Sequence, residues 1–537
     1  MRQVVARDSH DVWTGGAQSP GRVHWLLLAS ILTLAAFLRL FHLGSRSLWI
    51  DEVYSVTVAT DSLAGILKTV GQVDPHPPLH FLLLHAWIRL GGYGETWVRV
   101  LSALSGLGTV GVTYLIGRRL LGAGGGVLGM LLVAAAPFQV MASQEARMYA
   151  LLALVTVLCA YSLWEAVHGA GPWWWPVYGV SAALAFYTHY FGALVVVGHG
   201  LFLALTGARR AIWRAWAAAT ALATVLFAPW LPVLWLQLHK GLAWPPWRAS
   251  ADEGALSRVF TMLAYGGSFP GLPGYFVGGG ASSLDLLLLA SPFVALIAAG
   301  IATLRERKEA LLFLLAWLIT PLGVPFVLSV WGVPVFDARY FSFLVPPLAL
   351  LMAAGIQALP HWIPRFDTLR VRVAAAALVM VYWTGALVNH HYHPAFQASN
   401  WRGAAAYVQA NAGPRDVLIF VPDFAATPFF YYFRGRQEWF TLKLSEFRRL
   451  EMAPPGKSGG LDGGGREIPV FTREEAWRVA DRHPAAWLVV TSPVPRQSLL
   501  AFEALLRAAY RATRERDFGG ARITRYERLA TPRSERR

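Results

Sequence analysis

The sequence predicts a multi-pass α-helical membrane protein with a C-terminal α/β domain. Three observations predict it. Hydrophobic residues make up 55% of the 537-residue chain and charged residues 15%, and the mean hydropathy is +0.43. That is too apolar for a soluble protein of this size. The apolar residues come in long blocks, near the ~20 residues a helix needs to cross the hydrocarbon core. After residue 390 the blocks stop, and alternating strand-like and helix-like segments take over.

The remaining composition fits that class. The 23 tryptophans can supply interfacial belts. The net charge of +16 would suggest nucleic acid on a soluble protein, but here the basic residues cluster at the ends of apolar runs. Topology and anionic lipid explain that placement better. The one cysteine, Cys159, lies inside an apolar run and excludes an internal disulfide framework. The first apolar run is long and is followed by a polar segment without a small-residue cleavage site, so it reads as an uncleaved first helix.

About eleven spans are expected, near 23–43, 98–117, 124–142, 148–167, 173–190, 191–207, 211–236, 284–304, 310–331, 340–360 and 371–389. The run Pro78 to Leu90 is apolar but short, and reads as a re-entrant or interfacial helix. The positive-inside rule tests that reading. If the run does not cross, the inner ends carry Arg2, Arg7 and Arg22; Arg118 and Arg119; Arg209, Arg210 and Arg214; Arg305, Arg307 and Lys308; and Arg365, Arg370 and Arg372. If it crosses, the Arg118 pair and every later cluster fall outside. The first option predicts an inside N-terminus and an outside C-terminus.

Four regions follow: a cytoplasmic tail at 1–22, the membrane domain at 23–390, an extracytoplasmic α/β domain at 391–530, and a disordered tail at 531–537. Within the third, helices are expected at Trp401 to Ala410 and Arg496 to Tyr510, with strands at Val417 to Val421 and Trp487 to Thr491. The glycine-rich stretch Pro454 to Gly465 reads as a mobile loop.

Five polar motifs then fall on the outer side. Leu48-Trp49-Ile50-Asp51-Glu52 sets two carboxylates beside a tryptophan at headgroup depth, where a half-dry acid can act as a general base. Asp74-Pro75-His76-Pro77-Pro78 surrounds one histidine with three prolines that fix its backbone. Gln144-Glu145-Ala146-Arg147-Met148-Tyr149 brings an acid and an arginine to a membrane boundary, where they are expensive unless paired or functional. Tyr187-Thr188-His189-Tyr190 lies between two spans, and Asp337-Ala338-Arg339-Tyr340 enters the tenth. An arginine fork matches two phosphate oxygens. Singly, each motif also reads as a solvated acid, a stiff turn, a snorkelling pair or an aromatic belt. Jointly they describe a site for an anionic lipid headgroup.

These residues resemble bacterial GT-C glycosyltransferases. Leu48-Trp49-Ile50-Asp51-Glu52, His76-Pro77-Pro78-Leu79, Gln144-Glu145-Ala146-Arg147-Met148-Tyr149 and Arg339-Tyr340 are similar to glycosyltransferase family 39, the protein O-mannosyltransferase-like group, with the lipid A aminoarabinose transferases as relatives. The resemblance covers roughly residues 20–390 and implies a GT-C fold. It implies inverting transfer of a mannose-like or arabinose-like sugar from a polyprenyl-phosphate donor to an acceptor hydroxyl on a lipid, polysaccharide or protein. By position it makes Asp51 the base, with Glu52 orienting it or binding the acceptor, the catalytic pair. Arg339 and Arg147 would hold the leaving phosphate, and His76 and His189 would line the donor pocket. Glu145, Tyr149, Tyr190 and Tyr340 complete the substrate-binding set. The match departs at Pro75-His76, where the aminoarabinose transferases carry a Glu-Lys pair. No cofactor is expected to be required and no metal is predicted. The absence of a P-loop or dinucleotide fingerprint agrees with a donor that carries no nucleotide.

The implied location is the inner (plasma) membrane, with no nucleic-acid partner. The rival readings are a transporter or lipid-linked-sugar flippase and a non-catalytic scaffold. Against the transporter, the sequence shows no internal repeat and no paired broken helices, and its charges gather at one face. Cell-wall polymer ligation is a neighbouring enzymatic alternative.

Overall fold

The computed structural model describes residues 21–239, 255–267, 283–333, 335–362, 367–393, 396, 399–442, 470–471, 482–491, 494 and 496–529. The expected loop at 454–465, the tail at 531–537 and all but the last two residues of the segment 1–22 lie outside them. The chain forms two compact units, one of residues 1–43 with 61–396 and the other of residues 44–60 with 397–537.

The first unit is helical. Its first helix is α1 (Arg22–Leu40). The next helix in the chain, α2 (Ile50–Ala59), belongs to the second unit. Then come α3 (Leu63–Gln72), α4 (Leu79–Gly91), α5 (Glu95–Ala135), α6 (Pro137–Ser143), α7 (Tyr149–Val167), α8 (Trp174–Thr188), α9 (Gly192–Leu205), α10 (Arg210–Phe227), α11 (Leu231–His239), α12 (Ala255–Tyr265), α13 (Ser283–Leu304), α14 (Lys308–Val330), α15 (Val345–Trp362) and α16 (Thr368–Tyr392). Short 3₁₀ turns join α10 to α11 and lead into α15. Among the described residues, seven helical stretches are long and apolar enough to cross a membrane: Arg22–Leu40, Glu95–Ala135, Tyr149–Val167, Arg210–His239, Lys308–Val330, Ala338–His361 and Thr368–Tyr392.

Three of the four spans fewer than the eleven expected have local causes, and the fourth, at 284–304, forms α13, of which Ser291–Leu304 counts as a shorter apolar helix. Helix α5 contains the span expected at 98–117 and most of that at 124–142, divided at Gly122, whose φ of 79° only glycine adopts freely. The spans expected at 173–190 and 191–207 form α8 and α9, of 15 and 14 residues, because the chain turns at His189–Phe191. The short run forms the 13-residue α4. Its end is pinned to α5 by the stacked rings of Trp87 and Trp97, 4.6 Å apart, and each indole N–H donates to the other residue's carbonyl.

Large side chains at the helix surfaces are exposed, among them Val23, Leu26, Phe37 and Leu40 on α1 and Val381 and Val388 on α16. In water such a surface would aggregate, whereas lipid covers it. Inside, α13 and α15 cross closely. A Cβ on Gly300 would lie 2.0 Å from the Leu351 carbonyl oxygen, and one on Gly355 equally close to that of Leu296. Small residues let the backbones approach, as membrane helices require.

Buried Arg39, near the end of α1, donates to the Ala35 carbonyl at 3.1 Å, to that of Ala134 at 3.0 Å and to that of Val133 at 3.3 Å. It thereby satisfies carbonyls left open where α5 ends. Gln144 Nε2 returns the tie, donating to the carbonyls of Leu38 and Phe41 at 3.0 and 2.9 Å. These bonds place the segment that carries Glu145 and Arg147.

The second unit holds a six-stranded sheet of β1 (Val417–Val421), β2 (Glu438–Leu442), β3 (Val470–Phe471), β4 (Ala485–Thr491), β5 (Tyr510–Asp517) and β6 (Ala521–Arg528), in the order β3-β2-β1-β4-β6-β5. The first four are parallel, and β6 and β5 add antiparallel. Strand β1 is buried on both faces, as a central parallel strand should be. Helices α17 (Trp401–Asn411), α18 (Ala426–Tyr432) and α19 (Arg496–Arg507) accompany the sheet. The expected helix at Arg496 to Tyr510 ends earlier, and Tyr510 begins β5 instead.

Candidate active site

Two ends of the helical unit differ in chemistry. At one, Arg119 forms a two-pronged pair with Glu165 at 2.5 and 2.9 Å. There His168 also meets Glu309 at 3.3 Å, and Arg307 donates to the Leu120 carbonyl at 3.2 Å. At the other end lie the starts of α4, α7 and α9, the ends of α8 and α11, and the 3₁₀ turn Ala338–Leu344. Helix α7 runs from one end to the other, about 28 Å at 1.5 Å per residue.

That second end gathers residues from four of the five motifs. Asp74 Oδ1 accepts from the His76 backbone N–H and from His76 Nδ1, both at 2.7 Å. The ring is therefore held from the Nδ1 side, and Nε2 is the nitrogen that Asp74 does not engage. Burial pushes the Asp74 carboxyl up, but His76 and the Arg147 guanidinium outweigh it and hold its pKa below the usual carboxylate value. The His76 ring lies 5.3 Å from that of His189 and 6.0 Å from that of Tyr340, and the His189 and Tyr340 rings are 4.8 Å apart. His189 Nδ1 accepts from the Phe191 backbone N–H at 3.1 Å, which puts the neutral ring's proton on Nε2.

Tyr149 lies 6.2 Å from Tyr340, ring to ring, and the Arg147 guanidinium sits 6.0 Å from the Tyr149 ring centre. Arg147 is buried. Ser102 and Ser342 anchor the segment by donating to the carbonyls of Arg147 and Tyr149, each at 3.3 Å. Glu145 is half-buried, and its carbonyl accepts from the Arg147 N–H at 2.8 Å. Arg339 pairs with Asp337 at 3.1 Å, and Asp337 also caps the 3₁₀ turn that carries Tyr340.

A cavity of about 420 Å³ opens at this cluster. His76, His189, Tyr340 and Gln237 are among its polar lining residues. Phe186, Phe227, Leu231, Leu234 and Leu238 give it apolar walls. Among the described residues, no group of three or more His, Cys, Asp or Glu side chains is arranged to hold a metal ion.

Asp51 and Glu52 lie in the second unit, in the first turn of α2. The buried Glu52 carboxylate accepts from the Trp49 N–H at 3.2 Å and so caps its own helix, while Asp51 is half-buried. The segment before α2 is tied within the second unit. Ser47 Oγ donates to the Ser399 carbonyl at 2.9 Å and accepts from the Trp401 N–H at 3.0 Å. The Leu48 N–H donates to the Tyr432 hydroxyl at 2.7 Å.

Sequence reasoning did not assign Asp74 or Gln237. A signal existed for Gln237, because it is one uncharged polar residue inside the apolar run of α11. For Asp74, the signal was its place two residues before a proline-locked histidine.

Residues 75–235 match the family model described as dolichyl-phosphate-mannose-protein mannosyltransferase. No curated protein matches the chain. Among solved structures, the chain is similar to ArnT from Cupriavidus metallidurans in the apo state, with 16% identity and a TM-score of 0.60 over 94% of this chain and 97% of that one. The same protein bound to undecaprenyl phosphate gives 16% and 0.60 over 95% and 99%. The Archaeoglobus fulgidus oligosaccharyltransferase, in complex with Zn and sulfate, gives 14% and 0.50 over 86% and 68%. At such identities the likeness fixes the fold, and the chain has the fold of ArnT.

Proposed function

We propose that this chain, a membrane protein with the ArnT fold, is a glycosyltransferase that moves a sugar from a polyprenyl-phosphate donor to an acceptor hydroxyl. The observation that carries the reading is the two-natured cavity. Its polar lining residues, with Asp74 and Arg147 close to His76, suit a phosphate-linked sugar, and its apolar lining suits the start of a hydrocarbon tail. The solved ArnT complex with undecaprenyl phosphate supports the same donor class.

In the proposed step, the Asp51 carboxylate takes the proton of the acceptor hydroxyl. The freed oxygen forms a bond to the sugar C1 from the face opposite the phosphate, and the C1–O bond to phosphate breaks. Its electron pair leaves on the polyprenyl phosphate, so the anomeric configuration inverts. Charge grows on the leaving oxygen, which fixed cations in a dry site stabilise best. Arg147 and Arg339 are assigned that task. Arg339 already faces a carboxylate, Asp337, so a phosphate there would compete with it. Glu52 serves Asp51 through the helix it caps.

The positive-inside rule assigns the end carrying Arg119 and Arg307 to the cytoplasm. The cavity end and the C-terminal unit then belong to the outer side of the inner membrane.

The test is transfer of label from radiolabelled polyprenyl-phosphate mannose and a panel of related lipid-phosphate sugars, in lipid-reconstituted protein with envelope extract as acceptor. Wild type transfers label, and Asp51→Asn loses about 10²–10⁴-fold while remaining folded. Equal transfer by both proteins removes Asp51 as the base. No transfer by folded wild type across the panel rejects the transferase and favours a transporter.

A further inference from the structure

Gln237 projects from α11 into the wall of the cavity and is 1% exposed. Its side-chain amide is bonded on both sides. Nε2 donates to the carbonyl of Val70, at the end of α3, at 3.1 Å, and to the carbonyl of Asp74 at 2.8 Å. Oε1 accepts from the Tyr190 hydroxyl. The Tyr190 oxygen in turn accepts from Trp230 Nε1–H at 3.1 Å. The amide has one sensible orientation, because turning it over would set its oxygen against two carbonyl oxygens.

We propose that Gln237 is the positioning residue that fixes the His76 loop and Tyr190 against each other at the cavity. The loop needs such a tie. Pro75, Pro77 and Pro78 have no N–H, so the loop is poor in donors and must be held largely through its carbonyls. Gln237 holds the carbonyl of Asp74, and the carboxylate of the same Asp74 holds both the N–H and the ring of His76. One residue therefore separates the amide from the imidazole. On its other side, Gln237 takes up the Tyr190 proton while Trp230 occupies the Tyr190 oxygen. Tyr190 then offers the cavity its ring rather than its hydroxyl. A buried glutamine on an apolar helix is costly unless its bonds are met, and here they are met by groups of the site.

The proposal rests on reading the cavity as the donor site, and the experiment separates the two. Binding of undecaprenyl phosphate is measured in lipid nanodiscs for wild type, Gln237→Leu and Gln237→Glu at pH about 8 and about 5.5, alongside thermal unfolding. Ratios to wild type at the same pH cancel the titration of the phosphate. Gln237→Leu weakens binding about tenfold at both values. Gln237→Glu weakens it as much at the higher pH, because a carboxylate there faces two carbonyl oxygens. It recovers to within about threefold at the lower pH, where a protonated carboxyl again accepts from Tyr190 and donates to Asp74. Adding Asp74→Ala to Gln237→Leu brings little further loss if both act on one loop. A pH-independent ratio for Gln237→Glu, wild-type binding by Gln237→Leu, or full additivity with Asp74→Ala overturns the proposal. If wild type binds no undecaprenyl phosphate, the donor-site reading fails and the unfolding temperatures decide the role of Gln237. Its positioning role then requires that Gln237→Glu approach wild type on acidification while Gln237→Leu keeps a constant offset. Constant offsets for both overturn it.

Discussion

His76 is held by a carboxylate that is itself held, and the energetics of the cavity turn on that chain. Asp74 is buried, which alone would favour its neutral form, yet its pKa lies below the usual value because His76 and Arg147 favour the charge. A carboxylate whose folded pKa is depressed contributes stability that is present above its unfolded pKa of about 3.9 and lost as pH falls through the folded one. Asp74→Ala is therefore expected to lower stability by about 2 kcal/mol near neutral pH. The gap to wild type closes only below the ordinary carboxylate range. Unfolding of both proteins over an acid series checks this, and a gap that already closes near pH 5 contradicts it. The sequence announced His76 through its prolines. It could not announce that Asp74 and Gln237 hold it, because Gln237 lies 163 positions from Asp74 and only the packing of α11 brings them together.

At the scale of the elements, helix existence was legible and helix continuity was not. Composition predicts apolar helices well, since lipid demands them. It does not show that Gly122 divides α5, or that the chain turns at His189 after only 15 residues of α8. That turn matters, because it leaves His189 and Tyr190 beside the cavity rather than along a helix face. The crossing of α13 and α15 was equally hidden, being a pairing of two glycines 55 residues apart. Gly355→Ala places a methyl against the Leu296 backbone, which cannot move aside as a flexible side chain would. Overpacking there is expected to destabilise by about 1–3 kcal/mol. Thermal unfolding in detergent reads it, and a variant as stable as wild type would show that the helices separate easily.

For the whole molecule, the division into two units changes how the carboxylates are understood. In the sequence Asp51 and Glu52 follow directly from the first membrane helix. In the structure residues 44–60 are packed with the C-terminal unit, tied through Ser47, Leu48, Ser399, Trp401 and Tyr432. Sequence reading could not reach this, since the partners stand more than 350 positions away. Ten residues make a marginal helix by themselves, so α2 depends on these ties. Ser47→Ala removes two of the bonds and is expected to speed amide hydrogen exchange in α2, with the exchange of α7 unchanged. Unaltered exchange in α2 would show that the ties do not hold it.

We propose that the cavity of the helical unit receives a lipid phosphate, with the phosphate beside His76 and His189. The most direct measurement compares binding of undecaprenyl phosphate with binding of undecaprenol, its uncharged alcohol, to the reconstituted wild-type protein and to Arg147→Ala. Wild type is expected to prefer the phosphate by at least about tenfold, and Arg147→Ala to lose most of the preference. Equal binding of the alcohol and the phosphate by wild type would contradict it.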